Sequence, residues 1–143
     1  MDRVRIPATS ANLGAGFDSL GLAVNLYNYV DMEESDGVFI SSTDGTWVPT
    51  TKENLIYQSA QRLYDECGKK LCGLRIIQQN NIPMTRGLGS SSACIVGGLA
   101  AANQMLGNPL GLDDMVGLAS DIEGHPDNTT PALLGGIVTA VLE

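Results

Sequence analysis

The residues best suited to chemistry lie in a glycine- and serine-rich run at residues 83–93, PMTRGLGSSSA. Gly87 and Gly89 allow the backbone to turn sharply and to approach a ligand closely. The serines that follow add hydroxyl donors just before an apolar stretch that begins at Ala93 and predicts a helix. Because a helix N-terminus carries unpaired amides and a partial positive charge, this run predicts a cradle for the phosphates of a nucleotide.

The same run has three other interpretations. Gly/Ser clusters are also typical of flexible linkers, but this run directly connects a strand-like segment, residues 74–79, to the apolar stretch. A Walker A loop is excluded because no Gly-Lys-Ser/Thr follows. The third glycine of the dinucleotide fingerprint is also missing, which disfavours a nicotinamide or flavin cofactor.

Two further polar loops could complete a site for phosphoryl transfer. That reaction needs a phosphate cradle, a hydroxyl acceptor held in line, and charge neutralisation on the transferred group. The first loop, residues 8–19, contains Asn12 and Asp18, and another, residues 123–128, reads EGHPDN. Amides and carboxylates of this kind suit a small polar substrate that carries an ammonium group and a hydroxyl.

The three loops together resemble the ordered signatures of one enzyme family. Residues 5–18 (RIPATSANLGAGFD), 83–93 and 123–128 are similar to the motifs of the homoserine kinases, within the galactokinase, homoserine kinase, mevalonate kinase and phosphomevalonate kinase superfamily. The resemblance implies ATP-dependent phosphorylation of L-homoserine to O-phospho-L-homoserine, in threonine biosynthesis. It also implies that residues 1–143 form a single N-terminal nucleotide-binding domain, and that the C-terminal domain of the family lies outside this chain.

The resemblance also implies how ATP and Mg²⁺ would be bound. Ser92, or alternatively Ser91, would lie near the Mg²⁺ ion. Glu123 is assigned as its acidic ligand, with Asp121 as the alternative carboxylate. The residues implied to contact ATP are Pro83, Met84, Thr85, Arg86, Gly87, Leu88, Gly89, Ser90, Ser91, Ser92 and Ala93.

The other two loops are implied to hold the acceptor. Asn12, Asp18, His125 and Asp127 would bind homoserine, and Asp127 and Asn128 would take part in catalysis. Asp127 invites the role of general base, yet an aspartate beside a proline is often a turn former. A loose phosphoryl-transfer transition state depends mainly on positioning and electrostatics, so both roles stay open.

Three other functions could use these residues. A serine hydrolase would use the same residue types, but Gly89-Ser-Ser-Ser-Ala93 lacks the final glycine of a nucleophile elbow. His125 and Asp127 also lie only two residues apart, which makes the orienting hydrogen bond of a triad awkward. A nucleotide-binding fragment without turnover and a sibling kinase of the mevalonate type remain as alternatives.

The length, charge and composition of the chain limit the classes of protein to which it can belong. The chain has 143 residues, 43% of them hydrophobic, and a formal net charge of -8, so we expect one core and no nucleic-acid or membrane surface. Without a signal peptide or a long apolar span, the protein is expected to be cytoplasmic. Three cysteines and one histidine favour ordinary thiols over disulfides or a zinc site. A homodimer remains possible.

The coarse pattern predicts an α+β fold, a two-layer mixed sheet with helices on one face. Strands are expected at residues 4–7, 21–32, 38–41 and 74–79, with a turn at Asp36-Gly37. Helices are expected from Asn54 to a stop at Gly68, after the serine run to Gly107, and from a cap at Asp113. A helical turn at residues 131–134 and a strand at 137–142 complete the prediction.

Overall fold

The computed structural model describes residues 2–7, 27–43, 45, 47–80 and 88–123. This part of the chain contains four strands and three helices. The strands are β1 (Asp2–Pro7), β2 (Tyr27–Glu34), β3 (Phe39–Ser42) and β4 (Leu74–Asn80). The helices are α1 (Leu55–Glu66), α2 (Leu88–Met105) and α3 (Leu112–Glu123).

The four strands form one mixed sheet in the order β1-β2-β4-β3. β2 is antiparallel to both β1 and β4, whereas β3 runs parallel to β4. Alternation along the strands places one set of side chains on a common buried face, which includes Val4, Val30, Met32 and Ile76. The predicted α+β architecture with a mixed sheet is therefore confirmed.

All three helices belong to the layer on this buried face. α2 packs on β1 and β2, α1 packs along α2, and α3 contacts both other helices. The core between the layers is formed by aliphatic strand residues and by the inward faces of the helices, among them Ile56, Leu63, Leu99 and Leu118. The prediction that the helices lie on one side of the sheet holds for the described residues.

Two adjacent glycines fix α2 closely between the sheet and α1. A Cβ on Gly97 would lie 2.9 Å from Cγ2 of Val30, and one on Gly98 would lie 2.5 Å from the carbonyl oxygen of Ile56. Real Cβ atoms do not approach other atoms this closely, so only glycine permits both contacts. The pair therefore sets the height of α2 above β2 and its crossing with α1.

The helix ends follow the local sequence signals. The side chain of Asn54 accepts a hydrogen bond from the amide of Ile56 at 2.8 Å and caps α1. α1 and α2 are followed by Gly68 and Gly107, which have φ angles of 68° and 83°. In both cases the next amide bonds back to a carbonyl in the last turn, which is the Schellman arrangement.

Two predicted helix starts were wrong. α2 begins at Leu88 rather than Ala93, so residues 88–92 of the serine-rich run are helical. Asp113 does not cap α3, because that helix begins at Leu112 and Asp113 lies in its first turn. The amide of Met115 donates to the carbonyl of Gly111 at 3.1 Å, and glycine is an acceptable residue at a cap.

Several predictions fall outside the described residues. They concern the first part of the strand predicted at residues 21–32, the loop at 8–19, the helical turn at 131–134 and the strand at 137–142. The described part of β2 begins at Tyr27. β1 begins two residues before its predicted start, β3 is shifted by one residue at both ends, and β4 ends one residue later than predicted. Among the helices that are described, none combines the length and the apolar character needed to cross a membrane.

Candidate functional site

Two of the three predicted loops leave the sheet at the same edge. Pro7 at the end of β1 is in register with Tyr27 at the start of β2, and these residues flank the first loop. The next residue of β2, Asn28, is in register with Asn80, the last residue of β4. Since residues 8–26 connect Pro7 to Tyr27 and residues 81–87 follow Asn80, both segments join the sheet at the same end of its strands.

The N-terminus of α2 provides the donors expected of an anion cradle. Its first turn comprises the main chain of Leu88, Gly89 and Ser90, and the residue before it, Gly87, has no side chain with which to cap the helix. The first amides of a helix have no intrahelical acceptor, and an 18-residue helix places the positive end of its dipole at the same point. The dipole and the amides at this end of α2 therefore favour a negatively charged group over a positively charged one.

The other two helices differ at this position. The first turn of α1 is capped by the Asn54 side chain, and the first turn of α3 contains two carboxylates, Asp113 and Asp114. The first turn of α2 contains no acidic residue. The start of α2 therefore differs from that of α3 in carrying no carboxylate in its first turn.

Buried amide side chains lie near the sheet edge from which the loops leave. The inner face of β4 changes from apolar, at Leu74 and Ile76, to polar at Gln78, which is 3% exposed. Oε1 of Gln78 accepts a hydrogen bond from Nδ2 of Asn54 at 2.9 Å, and the same Nδ2 donates to the carbonyl of Pro49 at 2.9 Å. This pair joins β4 to the start of α1.

Sequence reasoning missed this pair of amides. Asn54 was recognised only as a helix start, and Gln78 only as part of a strand. The alternation of β4 contained a signal, because Gln78 occupies a position where the pattern of Leu74 and Ile76 calls for an apolar side chain. A buried amide at a core position needs a hydrogen-bond partner, but its identity depends on the tertiary structure.

The two candidate acidic metal ligands differ in their surroundings. Asp121 is largely exposed and forms an ion pair with Arg62 of α1 at 3.2 Å. Glu123 is partly buried at the last residue of α3, where it makes contacts of its own. The described residues contain no group of three or more His, Cys, Asp or Glu side chains placed to hold a metal ion. Both carboxylates thus have partners, and Glu123 stays the predicted metal ligand with Asp121 as the alternative.

Most of the remaining predicted site residues lie outside the described part of the chain. Residues 88–92 are described as part of the α2 backbone, and Ala93 is buried in that helix. The others lie outside the described residues and their roles stay predictions: Asn12, Asp18, Pro83, Met84, Thr85, Arg86, Gly87, His125, Asp127 and Asn128.

The three thiols are unpaired. Cys72 is exposed, whereas Cys67 and Cys94 are partly buried. Burial raises the pKa of Cys94, which lies in the second turn of α2, to about 11. Since the thiolate is the nucleophilic form of cysteine, Cys94 is protonated and unreactive at neutral pH.

Comparison with known families and proteins identifies similar chains. Residues 54–136 match the family described as the GHMP kinases N-terminal domain. Homoserine kinases from Caldicellulosiruptor bescii and Clostridium acetobutylicum are 50% and 48% identical, over 100% and 99% of this chain. The matches cover 47% and 48% of those proteins, so the chain spans about half the length of the curated relatives it matches.

Solved structures agree with this similarity. A homoserine kinase from Cytophaga hutchinsonii is 28% identical, with a TM-score of 0.70, over 92% of this chain and 45% of its own. A mevalonate kinase superposes with a TM-score of 0.69 over 93% of this chain and 51% of its own, at 15% identity. The second likeness concerns the fold alone.

Proposed function

Because this chain belongs to the GHMP kinase family, we propose that it forms the phosphate-binding half of an ATP-dependent homoserine kinase. The enzyme would phosphorylate the side-chain hydroxyl of L-homoserine to give O-phospho-L-homoserine, on the route to threonine. The observation that carries the proposal is the start of α2, a Gly/Ser-rich helix end without an acidic residue in its first turn. The names of relatives that match the whole chain support homoserine as the acceptor.

In the proposed complex, residues 83–93 wrap the nucleotide phosphates. The amides of the first turn of α2 would donate to phosphate oxygens, and the helix dipole would offset part of their charge. Glycine at positions 87 and 89 leaves room for the phosphates to approach the backbone. The net charge of -8 does not oppose this binding, because donors close to the phosphates outweigh distant charges.

The acceptor would lie between the first and third loops. Asn12, Asp18 and His125 would bind the ammonium and carboxylate groups of homoserine and direct its hydroxyl at the γ-phosphorus atom. The hydroxyl oxygen forms a bond to phosphorus while the bond from phosphorus to the leaving oxygen of ADP breaks. The hydroxyl proton passes to Asp127 if that residue is the base, and to solvent if Asp127 and Asn128 only position the acceptor.

Mg²⁺ is proposed to accompany ATP. A serine hydroxyl and a carboxylate, those of Ser92 and Glu123, are oxygen ligands of the kind that Mg²⁺ prefers together with phosphate oxygens. The ion would neutralise charge on the transferred phosphoryl group. Asp121 is the alternative carboxylate for this role.

The whole enzyme is proposed to be a cytoplasmic protein, with a homodimer as one possible assembly. Residues 1–143 would be its N-terminal domain, and a second domain would complete the substrate site. The second candidate function is a nucleotide-binding fragment without turnover. It is supported by the share of the relatives that the chain spans, about half of their length. A kinase that accepts a mevalonate-like acid is the third.

An assay of ADP release tests these proposals. The protein is incubated with ATP and Mg²⁺, and with L-homoserine, L-2-aminobutyrate or mevalonate as acceptor. Aminobutyrate matches homoserine except for the missing hydroxyl, so release is expected with homoserine alone, together with a new phosphomonoester signal in the ³¹P spectrum. ADP release with mevalonate would support the sibling kinase, and ATP binding without release would support the fragment. Failure to bind ATP would contradict all three.

A further inference from the structure

Gln78 belongs to a closed ring of contacts between the sheet, α1 and α2. In the sheet, Gln78 is in register with Val30 of β2. Val30 lies against Gly97 of α2, and the next residue, Gly98, lies against the carbonyl of Ile56 in α1. The ring returns to β4 through Asn54, which caps α1 and donates from Nδ2 to Oε1 of Gln78 at 2.9 Å.

The hydrogen bond between Asn54 and Gln78 differs from the other contacts of this ring because it is polar and buried. Asn54 and Gln78 are 2% and 3% exposed, so the hydrogen bond between them is shielded from water. A buried amide destabilises the fold unless it is paired, and an apolar side chain would suit this position of β4. Because a hydrogen bond is directional, it fixes the relative position of α1 and β4 more strictly than apolar packing would.

We propose that Gln78 is a positioning residue for the phosphate-binding end of α2. By accepting from Asn54, it fixes the start of α1 relative to β4, and α1 in turn fixes α2 through the contact at Gly98. The first residue of α2, Leu88, lies nine residues before Gly97, about 13.5 Å along the helix. A small tilt at the glycine pair therefore moves the first-turn amides by a larger distance.

This inference rests on the proposed function, since it assumes that these amides contact ATP. Its test replaces Gln78 by Met, which keeps the length of the side chain and removes the amide acceptor. We expect the dissociation constant for ATP, measured by equilibrium dialysis, to rise by up to about tenfold. That limit applies if the whole net free energy of the lost hydrogen bond is coupled to ATP binding. The KM for homoserine should change by less than about twofold, because Gln78 positions only the end of α2 that contacts ATP. A purely structural role would instead affect both substrates or neither.

Asn103 offers a matched control. It is also a buried amide, 5% exposed, but it lies near the C-terminal end of α2, where it pairs with the main chain of Leu110 and donates to Sδ of Met115 in α3. Asn103→Leu should lower the melting temperature as much as Gln78→Met and leave ATP affinity unchanged. Gln78→Asn, which withdraws the oxygen by one methylene, is a milder second variant and should also weaken ATP binding.

The outcomes separate the two levels of inference. Equal ATP affinity in wild type and folded Gln78 variants would overturn the positioning role and leave the proposed kinase intact. Equal weakening of ATP binding by Asn103→Leu would also overturn it, since the effect would then follow from stability alone. Wild-type protein that binds ATP without phosphorylating homoserine would support the nucleotide-binding fragment, and the ATP affinities of the variants would still decide the positioning role. Wild-type protein that binds no ATP would overturn both proposals.

Discussion

At the scale of single residues, Gly98 is the position where one added methyl group should matter most. Its Cβ would lie 2.5 Å from the carbonyl oxygen of Ile56 and 2.8 Å from Cβ of Ser59. Because a backbone carbonyl cannot rotate away, Gly98→Ala should push α1 and α2 apart and reduce the free energy of unfolding by about 1–3 kcal/mol. Urea denaturation followed by circular dichroism measures this change.

Gly117 in α3 supplies the control for that prediction. It is exposed and a Cβ there would meet no atom within 4 Å. Gly117→Ala should therefore raise the free energy of unfolding by about 0.5–1 kcal/mol, because alanine loses less backbone entropy in a helix. If both alanine variants were stabilised, the close crossing at Gly98 would be contradicted.

Asp127 can be tested for the two roles that its sequence context leaves open. Asp127→Asn keeps the shape and the turn-forming capacity of the side chain but cannot accept the hydroxyl proton. If Asp127 is the base, kcat should fall by about 10²–10⁴-fold while the KM for homoserine changes little. A rise in KM with unchanged kcat would instead assign Asp127 to positioning. Steady-state kinetics with homoserine as the varied substrate distinguishes the two.

At the scale of secondary structure elements, local signals predicted most of the described fold. Asn54, Gly68 and Gly107 each supply chemistry that starts or ends a helix, and the corresponding predictions agree with the structure. The start of α2 was placed too late because glycine and serine have low helix propensity, which tertiary packing overrides. The strand order and the parallel pairing of β3 with β4 depend on contacts distant in sequence, which local patterns do not contain.

The same limit applied to the candidate site. The Gly/Ser run was identifiable because its residue types are unusual, and the structure then placed its second half at a helix start. The pairing of Gln78 with Asn54 links residues 24 apart in sequence. A sequence pattern reveals that such an amide is out of place in a core, but it does not reveal the partner.

The first turn of α2 offers a prediction at this scale. Ser90→Asp would introduce a carboxylate where the wild-type turn has no acidic residue. The charge should stabilise the unliganded helix by about 0.3–1 kcal/mol through the helix dipole. It should also repel the phosphates of ATP and weaken binding by about tenfold, which corresponds to about 1.4 kcal/mol of repulsion.

Ser90→Asn is the matched neutral variant, since it has nearly the same shape without the charge. Comparison of ATP affinity for the two variants in low and high salt isolates the electrostatic part. The difference should shrink as salt screens the carboxylate from the phosphates. Equal affinities at low salt would indicate that the amides at the start of α2 do not face the nucleotide.

At the scale of the whole molecule, part of the positive charge of the described residues is neutralised within the domain. Arg3, Arg62 and Arg75 each form an ion pair with a carboxylate, at 2.7, 3.2 and 3.3 Å. Arg3 and Arg75 lie on the sheet face opposite the helices, where their guanidinium groups also cover the rings of Tyr29 and Phe39. These arginines are thus engaged within the domain, and the net charge is -8.

If the domain binds ATP mainly through its phosphates, ATP should stabilise the folded state more than adenosine, which has no phosphates. Ligand present at 100 times its dissociation constant stabilises the folded state by about 2.7 kcal/mol. For a chain of this size, that corresponds to a rise of several degrees in melting temperature, since each kcal/mol shifts it by about 2–4 °C. We expect Mg²⁺ with ATP to raise the melting temperature of the 143-residue chain, and adenosine at equal concentration to have little effect. Differential scanning fluorimetry measures both, and an equal shift with adenosine would locate the affinity in the base rather than at the start of α2.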